Sequence, residues 1–148
     1  MKRRRAKPKV KDYRIKMNEE LDDLWQLLFK GKPCIICGKP AYCGHHIFGK
    51  KASTNLRWDP KNGVPICMGN HREVHNGVIT TCKKLIEAIG QERLDWLIER
   101  QAIPLRLTIE KAEAIREYLE CELAKQDSNW ISPPPWGTRI DGPQEGSE

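Results

Sequence analysis

All four histidines of the chain fall within residues 45–75, at spacings that suit metal ligation. His71 and His75 are four residues apart in a stretch with helical spacing, so both rings project from one face and can reach one ion. His45 and His46 are neighbours on a predicted strand and point to opposite sides. If His45 joins the helical pair, His46 is left free and is suited to deprotonating a water molecule.

Asn62 lies between the two histidine pairs, in the turn sequence DPKNG. From that turn its amide could form a hydrogen bond that fixes the orientation of the His46 ring. The histidines and this asparagine together predict one divalent-metal site with a general base beside it.

A second group of candidate ligands is sulfur. Cys34 and Cys37 form a CIIC pair, the spacing with which two thiolates hold one tetrahedral zinc ion. Cys67 stands where a second pair begins, but its partner position holds Asn70, whose neutral amide is a poor zinc ligand. Three candidates remain for the fourth ligand: Cys43, one of the helix histidines, or a water or solvent ion. Alternatively, the three thiols bind no metal and pack as small apolar residues. We expect a structural zinc on the three cysteines.

Length and composition indicate one small domain with tails. The 148 residues, 39% of them apolar, can support a modest core. The basic N-terminal sequence is followed by no apolar run long enough for a signal sequence or a spanning helix, so we expect a cytoplasmic protein without a membrane role. The six cysteines are accordingly expected to be reduced and available for metal, rather than paired in three disulfides.

Positive charge is concentrated in two segments of the chain. Residues 1–16 carry nine Lys and Arg against one Asp, and residues 30–84 carry ten against two, so each segment is +8. Residues 17–29 and 85–148 are −4 and −6. Because the second basic segment contains every histidine, the charge pattern favours nucleic acid as the partner.

Basic residues in the loop between the histidine pairs are candidates for contact with the phosphate backbone. Ordinary solvated charge is the alternative for each one. The four candidates are Lys50, Lys51, Arg57 and Lys61.

The N-terminal elements that must support these groups can be predicted from charge and periodicity. Residues 1–16 are dense in like charge and predict a disordered basic arm. A single domain follows over residues 17–126, beginning with a helix that Asn18 can cap. Its apolar face contains Leu21, Leu24, Trp25 and Leu28.

The rest of the domain divides into a metal core at about residues 32–78 and a helical support at 79–126. The sequence of the metal core predicts a strand, a loop, a second strand and a helix, and the two strands are GHHIF and GVPIC. The support predicts two amphipathic helices separated by Pro104. Their inward residues are Leu85, Ile89, Leu94, Ile98, Ile115 and Leu119. Residues 127–148, rich in Pro, Gly and Ser, predict a flexible tail.

These residues also resemble a known family. His45, His46, Asn62, His71 and His75, with the paired cysteines around them, resemble an HNH endonuclease of the ββα-metal, or His-Me finger, superfamily. The order GHHIF, NLRWDPKNGVPIC and NHREVH is similar to that of phage-type HNH proteins, and the active-site spacing is similar to that of the DNase colicins. The resemblance covers roughly residues 32–78.

The resemblance implies a small α+β fold, with a ββα-metal core and a degenerate zinc knuckle flanked by N-terminal and C-terminal α-helices. It implies His46 as the general base and His45, His71 and His75 as ligands of one catalytic ion, which could be Mg²⁺, Mn²⁺, Ni²⁺ or Zn²⁺. Asn62 would orient His46 and tie down the loop.

The implied activity is hydrolysis of phosphodiester bonds in DNA, with double-stranded DNA as the expected substrate. A phage or host protein is a further partner that the sequence does not identify. The alternative function is a non-catalytic, zinc-containing module that binds nucleic acid.

Overall fold

The computed structural model describes residues 10–125 and contains, within them, five α-helices, one short 3-10 helix and a two-stranded antiparallel sheet. The helices are α1 (Val10–Leu27), α2 (Met68–His75), α3 (Ile79–Ile89), α4 (Gln91–Gln101) and α5 (Ile109–Ala124). The strands are β1 (Cys43–His46) and β2 (Gly63–Ile66), and the 3-10 helix (Pro60–Asn62) directly precedes β2. The predicted small α+β fold with flanking helices is confirmed. No helix in this part of the chain is long and apolar enough to cross a membrane.

Helix α1 begins at Val10 rather than at Asn18, so residues 10–16, which were predicted to belong to the basic arm, are helical. The helix is anchored where Met17 and Leu21 are buried, and no Gly or Pro interrupts the chain before Gly31, so the helix extends toward the N-terminus from that anchor. The first part of the predicted arm and the predicted tail at 127–148 lie outside the described residues.

The hairpin of β1 and β2 sits directly on α1. The strands pair with His45 opposite Val64. Gly44 and Gly63 lie against the rings of Phe29 and Trp25, and a Cβ atom at either glycine would collide with atoms of both rings. Because neither position has a side chain, the helix can approach the hairpin backbone closely.

Two hydrophobic clusters lie on either side of the hairpin. The larger joins α1 to α5 and consists of Met17, Leu21, Trp25, Leu28, Phe29, Trp58, Ala112, Ile115, Tyr118 and Leu119. The smaller joins β2 to α3 and consists of Val64, Leu85 and Ile89, with partly buried side chains packed around them. The C-terminal helices therefore complete the core beneath the hairpin.

The apolar stretch over residues 80–101 forms two helices rather than the single helix predicted. Gly90, at φ 83°, ends α3 and precedes α4. The break shifts the apolar face, so that Leu97 is fully buried whereas Ile98, predicted to face inward, is 47% exposed. The other predicted inward residues are buried or half-buried: Leu85, Ile89, Leu94, Ile115 and Leu119.

Asp59 is a buried carboxylate that supports the contact between α1 and the loop. Its Oδ1 accepts a hydrogen bond from the Lys61 backbone N–H at 2.9 Å, and its carbonyl oxygen accepts one from Trp25 Nε1 at 3.1 Å. Burial raises the pKa of Asp59 from 3.8 to about 6, because a charged carboxylate is poorly solvated at this position.

Stability is expected to fall with rising pH through this group. Between pH 3.8 and about 6 the folded protein keeps the Asp59 proton while the unfolded chain releases it, so the stabilisation present below this window is lost above it. At 1.36 kcal/mol per pKa unit the loss is about 3 kcal/mol. The free energy of unfolding, measured with urea from pH 3.5 to 7.5, should fall with rising pH in the wild type more steeply than in Asp59→Asn. Asp23→Asn, at an exposed carboxylate, serves as control; parallel profiles for wild type and Asp59→Asn would contradict the assignment.

Candidate metal centres and their pocket

Three histidines from two elements converge at the surface of the hairpin. His45 is on β1, and His71 and His75 lie one helical turn apart on α2. Their ring centroids are separated by 5.3 Å (His45 to His71), 5.4 Å (His45 to His75) and 4.4 Å (His71 to His75). One ring nitrogen of each lies within 4.8 Å of the other two.

The spacing of these nitrogens suits ligation of a single cation. The Nε2 atoms of His71 and His75 are 3.0 Å apart. Two imidazole nitrogens that each lie about 2.0–2.1 Å from one ion are separated by roughly 3.0–3.4 Å. Three neutral imidazoles form a donor set typical of zinc, nickel or copper, and one that manganese can also accept. The residues present therefore fit a divalent ion.

The histidine cluster also disfavours protonation, as a metal site requires. Burial, followed by the proximity of His71 and His75, lowers the pKa of His45 to about 4. Burial and the neighbouring His75 lower the pKa of His71. Neutral rings keep a nitrogen lone pair available to a cation near neutral pH.

His46 faces the other side of β1 from His45, as the alternation of a strand predicts. Its ring stacks on the Trp25 indole, with centroids 3.9 Å apart and an interplanar angle of 12°. Its Nε2 lies 2.9 Å from the carbonyl oxygen of Arg57. Burial lowers the pKa of His46, and this outweighs the opposing effect of the Arg57 carbonyl.

The contact with Arg57 determines the tautomer of His46. A carbonyl oxygen can only accept, so Nε2 must carry the hydrogen. In the neutral ring Nδ1 then has the free lone pair and can accept a proton.

Asn62 ties down the loop between the strands rather than the His46 ring. The Asn62 side chain is fully buried, and all three of its hydrogen bonds go to backbone groups. Its Oδ1 accepts from Phe48 N at 2.8 Å, and its Nδ2 donates to the carbonyl oxygens of Phe48 and Leu56 at 2.9 and 3.1 Å. The predicted role in holding the loop agrees with this geometry, whereas the hydrogen bond expected at the His46 ring comes from Arg57.

Asp22 on α1 holds the outer part of that loop. Its carboxylate accepts hydrogen bonds from Arg57 at 2.8 and 3.1 Å, from Lys50 Nζ at 2.9 Å and from Trp58 Nε1 at 2.9 Å. Burial opposes its ionisation, but the bonds from Arg57 and Lys50 outweigh burial and lower the pKa of Asp22. The carboxylate thereby fixes Arg57, whose carbonyl holds His46.

The four basic residues predicted to contact phosphate are not equivalent in the structure. Lys50 and Arg57 share the Asp22 carboxylate, and Trp58 is buried beside them in the core. Lys61 places its Nζ 4.4 Å from the centroid of the Trp96 ring. Lys51 is exposed in a turn. Only Lys50 of the four lines the histidine pocket, among the residues that the structure describes.

A pocket of about 310 Å³ joins all four histidines. Gln26 forms part of its wall and is fixed there by two bonds to one residue: Gly44 N–H donates to its Oε1 at 2.8 Å, and its Nε2 donates to the Gly44 carbonyl at 3.1 Å. The remaining lining residues are Cys43, Gly44, Gly49 and Lys50. The candidate base and the candidate ligands therefore open onto the same space.

Three cysteines form a second candidate metal centre. The Sγ atoms of Cys34, Cys37 and Cys67 all lie within 4.8 Å of one another, and those of Cys37 and Cys67 are 3.6 Å apart. A tight turn brings the first two together: Gly38, at φ 74°, donates its N–H to the Cys34 carbonyl at 2.9 Å. The cluster could bind a metal such as zinc.

The environment of Cys34 favours a thiolate. Burial opposes ionisation there, but hydrogen bonds from the Asn70 side chain and from backbone groups near Cys67 and Cys37 outweigh it and lower the pKa of Cys34 to about 6. A thiolate is the form that ligates metal. The donor set and its spacing therefore fit the predicted zinc.

Two of the predicted sources for a fourth ligand do not lie at this cluster. Cys43 lines the histidine pocket, and burial raises the pKa of its thiol. The α2 histidines point to His45. The side chain of Asn70 does reach the sulfur atoms, with its Nδ2 3.4 Å from Cys34 Sγ.

Sequence reasoning missed the contribution of α1 to the site. Trp25 was expected only as a core residue, and neither Asp22 nor Gln26 was singled out. A signal was present, since Asp22 and Gln26 are polar residues four apart at the edge of the apolar stripe that contains Trp25. Two polar residues four apart beside a buried aromatic residue indicate a helix whose polar side chains form hydrogen bonds to a neighbouring element.

Comparison with known proteins assigns the chain to a family. No curated protein and no solved structure matches it significantly. The family model described as the bacteriophage lambda NinG protein matches residues 1–128, which include both metal centres and all five helices. The chain therefore belongs to the family of the bacteriophage lambda NinG protein.

Proposed function

We propose that the protein is a metal-dependent endonuclease of the HNH type that hydrolyses phosphodiester bonds in DNA. The observation that carries the proposal is the convergence of three imidazole nitrogens within 4.8 Å of one another, in a pocket that His46 also lines. A phosphodiester resists hydrolysis because its negative charge repels the nucleophile and because the departing oxygen must carry charge. Such a reaction needs a cation and a base in one pocket.

His45, His71 and His75 would hold the divalent ion, which when bound would stabilise charge on the phosphate and on the departing oxygen. The three rings come from β1 and α2, and the fold brings one nitrogen of each within 4.8 Å of the other two, so little reorganisation would be needed to hold an ion.

His46 would remove the proton from the attacking water. The Arg57 carbonyl holds Nε2–H at 2.9 Å, so the lone pair of Nδ1 is the acceptor. The lowered pKa of His46 keeps the ring unprotonated near neutral pH. Trp25 supports the ring from one face, and Asn62 and Asp22 act as positioning residues because they hold the loop that carries Arg57.

The charge pattern supports DNA as the substrate. Residues 30–84, which contain every lining residue of the pocket except Gln26, carry a net charge of +8, and phosphate contacts to basic residues release counterions. Lys50 is the basic residue best placed for the phosphate nearest the ion, since it lines the pocket. Lys51, Arg57 and Lys61 would contact the strand farther along. The reduced cysteines suit a cytoplasmic location in a bacterial host cell.

Supercoiled plasmid provides the test. The wild type should nick it when Mg²⁺, Mn²⁺, Ni²⁺ or Zn²⁺ is added and should not do so in excess EDTA. His71→Ala, which removes one imidazole from the ion, is expected to lower the rate by at least about 10²-fold. Glu113→Gln on the exposed side of α5 is the control and should cut like the wild type. DNA binding without cleavage under every metal would instead indicate a non-catalytic nucleic-acid-binding module.

A further inference from the structure

The side chain of Asn70 lies beside the cysteine cluster. Its amide nitrogen lies 3.4 Å from Cys34 Sγ, and its backbone nitrogen lies 3.5 Å from Cys67 Sγ. Asn70 is in the first turn of α2, and Cys67 is the residue that caps that helix. The chain therefore returns to the cluster at position 70, where a fourth ligand would be expected.

The distances match the edges of a coordination tetrahedron. A zinc ion with sulfur at about 2.3 Å and oxygen at about 2.0–2.2 Å has sulfur–sulfur edges of about 3.8 Å and sulfur–oxygen edges of about 3.5 Å. Two of the six edges have distances close to these values: 3.6 Å between the Sγ atoms of Cys37 and Cys67, and 3.4 Å between the Asn70 amide nitrogen and Cys34 Sγ.

We propose that Asn70 is the fourth ligand of a zinc site formed with Cys34, Cys37 and Cys67, and that it binds through its amide oxygen. A half-turn of the amide exchanges Nδ2 and Oδ1 without moving the rest of the side chain. Nδ2 donates to Cys34 Sγ in the structure. The half-turn would direct Oδ1 toward a cation held by the three sulfur atoms.

An amide in place of a fourth thiolate changes the chemistry of the site. Three thiolates and Zn²⁺ sum to −1, whereas four thiolates sum to −2. A neutral oxygen is also a weaker donor to zinc than sulfur. The site is therefore expected to bind zinc less tightly than a four-cysteine site, and to exchange it faster. The proposal does not depend on nuclease activity.

The rival role for Asn70 is that of a hydrogen-bond donor that only steadies the thiolates. Substitution by aspartate separates the two roles. A carboxylate is a good zinc ligand but cannot donate a hydrogen bond when ionised. If Asn70 is a ligand, Asn70→Asp keeps or raises zinc affinity. If Asn70 only donates, the same change removes the hydrogen bond and places a negative charge beside sulfur.

The experiment is a Co²⁺ and Zn²⁺ titration of the full chain. Thiolate-to-cobalt charge-transfer absorption reports the cysteine site alone, because imidazole ligands do not contribute to it, and competition with a chromophoric chelator gives zinc affinity. Asn70→Cys should raise the charge-transfer intensity by about one third, in proportion to four thiolates instead of three, and should bind zinc more tightly. Asn70→Ala should lower zinc affinity at least about tenfold.

Asn76→Asp is the matched control, since Asn76 is exposed at the other end of α2, and it should bind zinc like the wild type. Far-UV circular dichroism checks that each variant folds. Asn70→Cys and Asn70→Asp both keep a group that can ligate metal at the position, so either carries the test if the alanine variant fails to fold. Equal affinity loss in the aspartate and alanine variants would overturn the proposal, and so would unchanged charge-transfer intensity in Asn70→Cys.

Discussion

Replacing His46 with glutamine is expected to lower the rate of DNA cleavage by about 10²- to 10⁴-fold, the usual contribution of a general base. Glutamine can still donate a hydrogen bond to the Arg57 carbonyl, which His46 contacts at 2.9 Å, but it cannot accept a proton from water. The loss should appear in the rate of the chemical step under single-turnover conditions.

Two measurements distinguish a loss of proton transfer from a loss of metal or DNA binding. Binding of Mn²⁺ and of DNA by His46→Gln should remain close to that of the wild type, because the ion is assigned to His45, His71 and His75. The control Glu113→Gln should cleave normally. A variant that retains wild-type cleavage would remove His46 from the mechanism, whereas a variant that no longer binds the ion would make His46 a ligand.

Trp25→Ala is expected to have the largest effect on stability. The side chain is fully buried in the cluster between α1 and α5, and truncation of such a residue costs about 3–5 kcal/mol. A domain of this size is stable by about 5–15 kcal/mol, and each kcal/mol corresponds to roughly 2–4 °C. The melting temperature of Trp25→Ala should therefore be roughly 6–20 °C lower than that of the wild type. Cleavage should also fall, since the indole supports the His46 ring.

Two further variants separate the contributions of Trp25. Trp25→Phe retains an aromatic ring under His46 but loses the hydrogen bond to the Asp59 carbonyl, which is worth about 1 kcal/mol. Trp96→Ala is the matched control: that indole is half-buried and contacts the cationic groups of Lys61 and Arg100, so its loss should cost less. Equal melting of wild type and Trp25→Ala would contradict the place given to this residue in the core.

The parts of the site that depend on local spacing could be predicted from the sequence. His71 and His75 are one turn apart on any helix, and His45 and His46 must diverge on any strand. Short apolar runs predicted the strands, helical periodicity predicted the flanking helices, and the family resemblance implied the α+β fold that joins them. The role of each histidine in chemistry stays a prediction until it is measured.

Contacts between distant residues could not be predicted in the same way. The stacking of His46 on Trp25 and the Asp22 contacts to the loop join residues more than twenty positions apart, and no local pattern encodes their geometry. The start of α1 depends on burial further along the helix rather than on a cap at Asn18. The inward position of Leu97 depends on the break at Gly90, which changes the helical phase.

The two metal centres are connected by a single short helix. Cys67 caps α2, Asn70 reaches the cysteine cluster from its first turn, and His71 and His75 follow on the same helix. A metal on the cysteines would therefore fix the start of the helix that carries His71 and His75.

Pulsed electron paramagnetic resonance of Mn²⁺ bound to protein labelled with ¹⁵N-histidine tests the central geometric claim most directly. We predict nitrogen couplings from imidazole ligands in the wild type. These couplings should persist in His46→Gln and disappear in the double variant His71→Ala, His75→Ala. A saturated wild-type sample in which Mn²⁺ shows only water ligands would contradict the account.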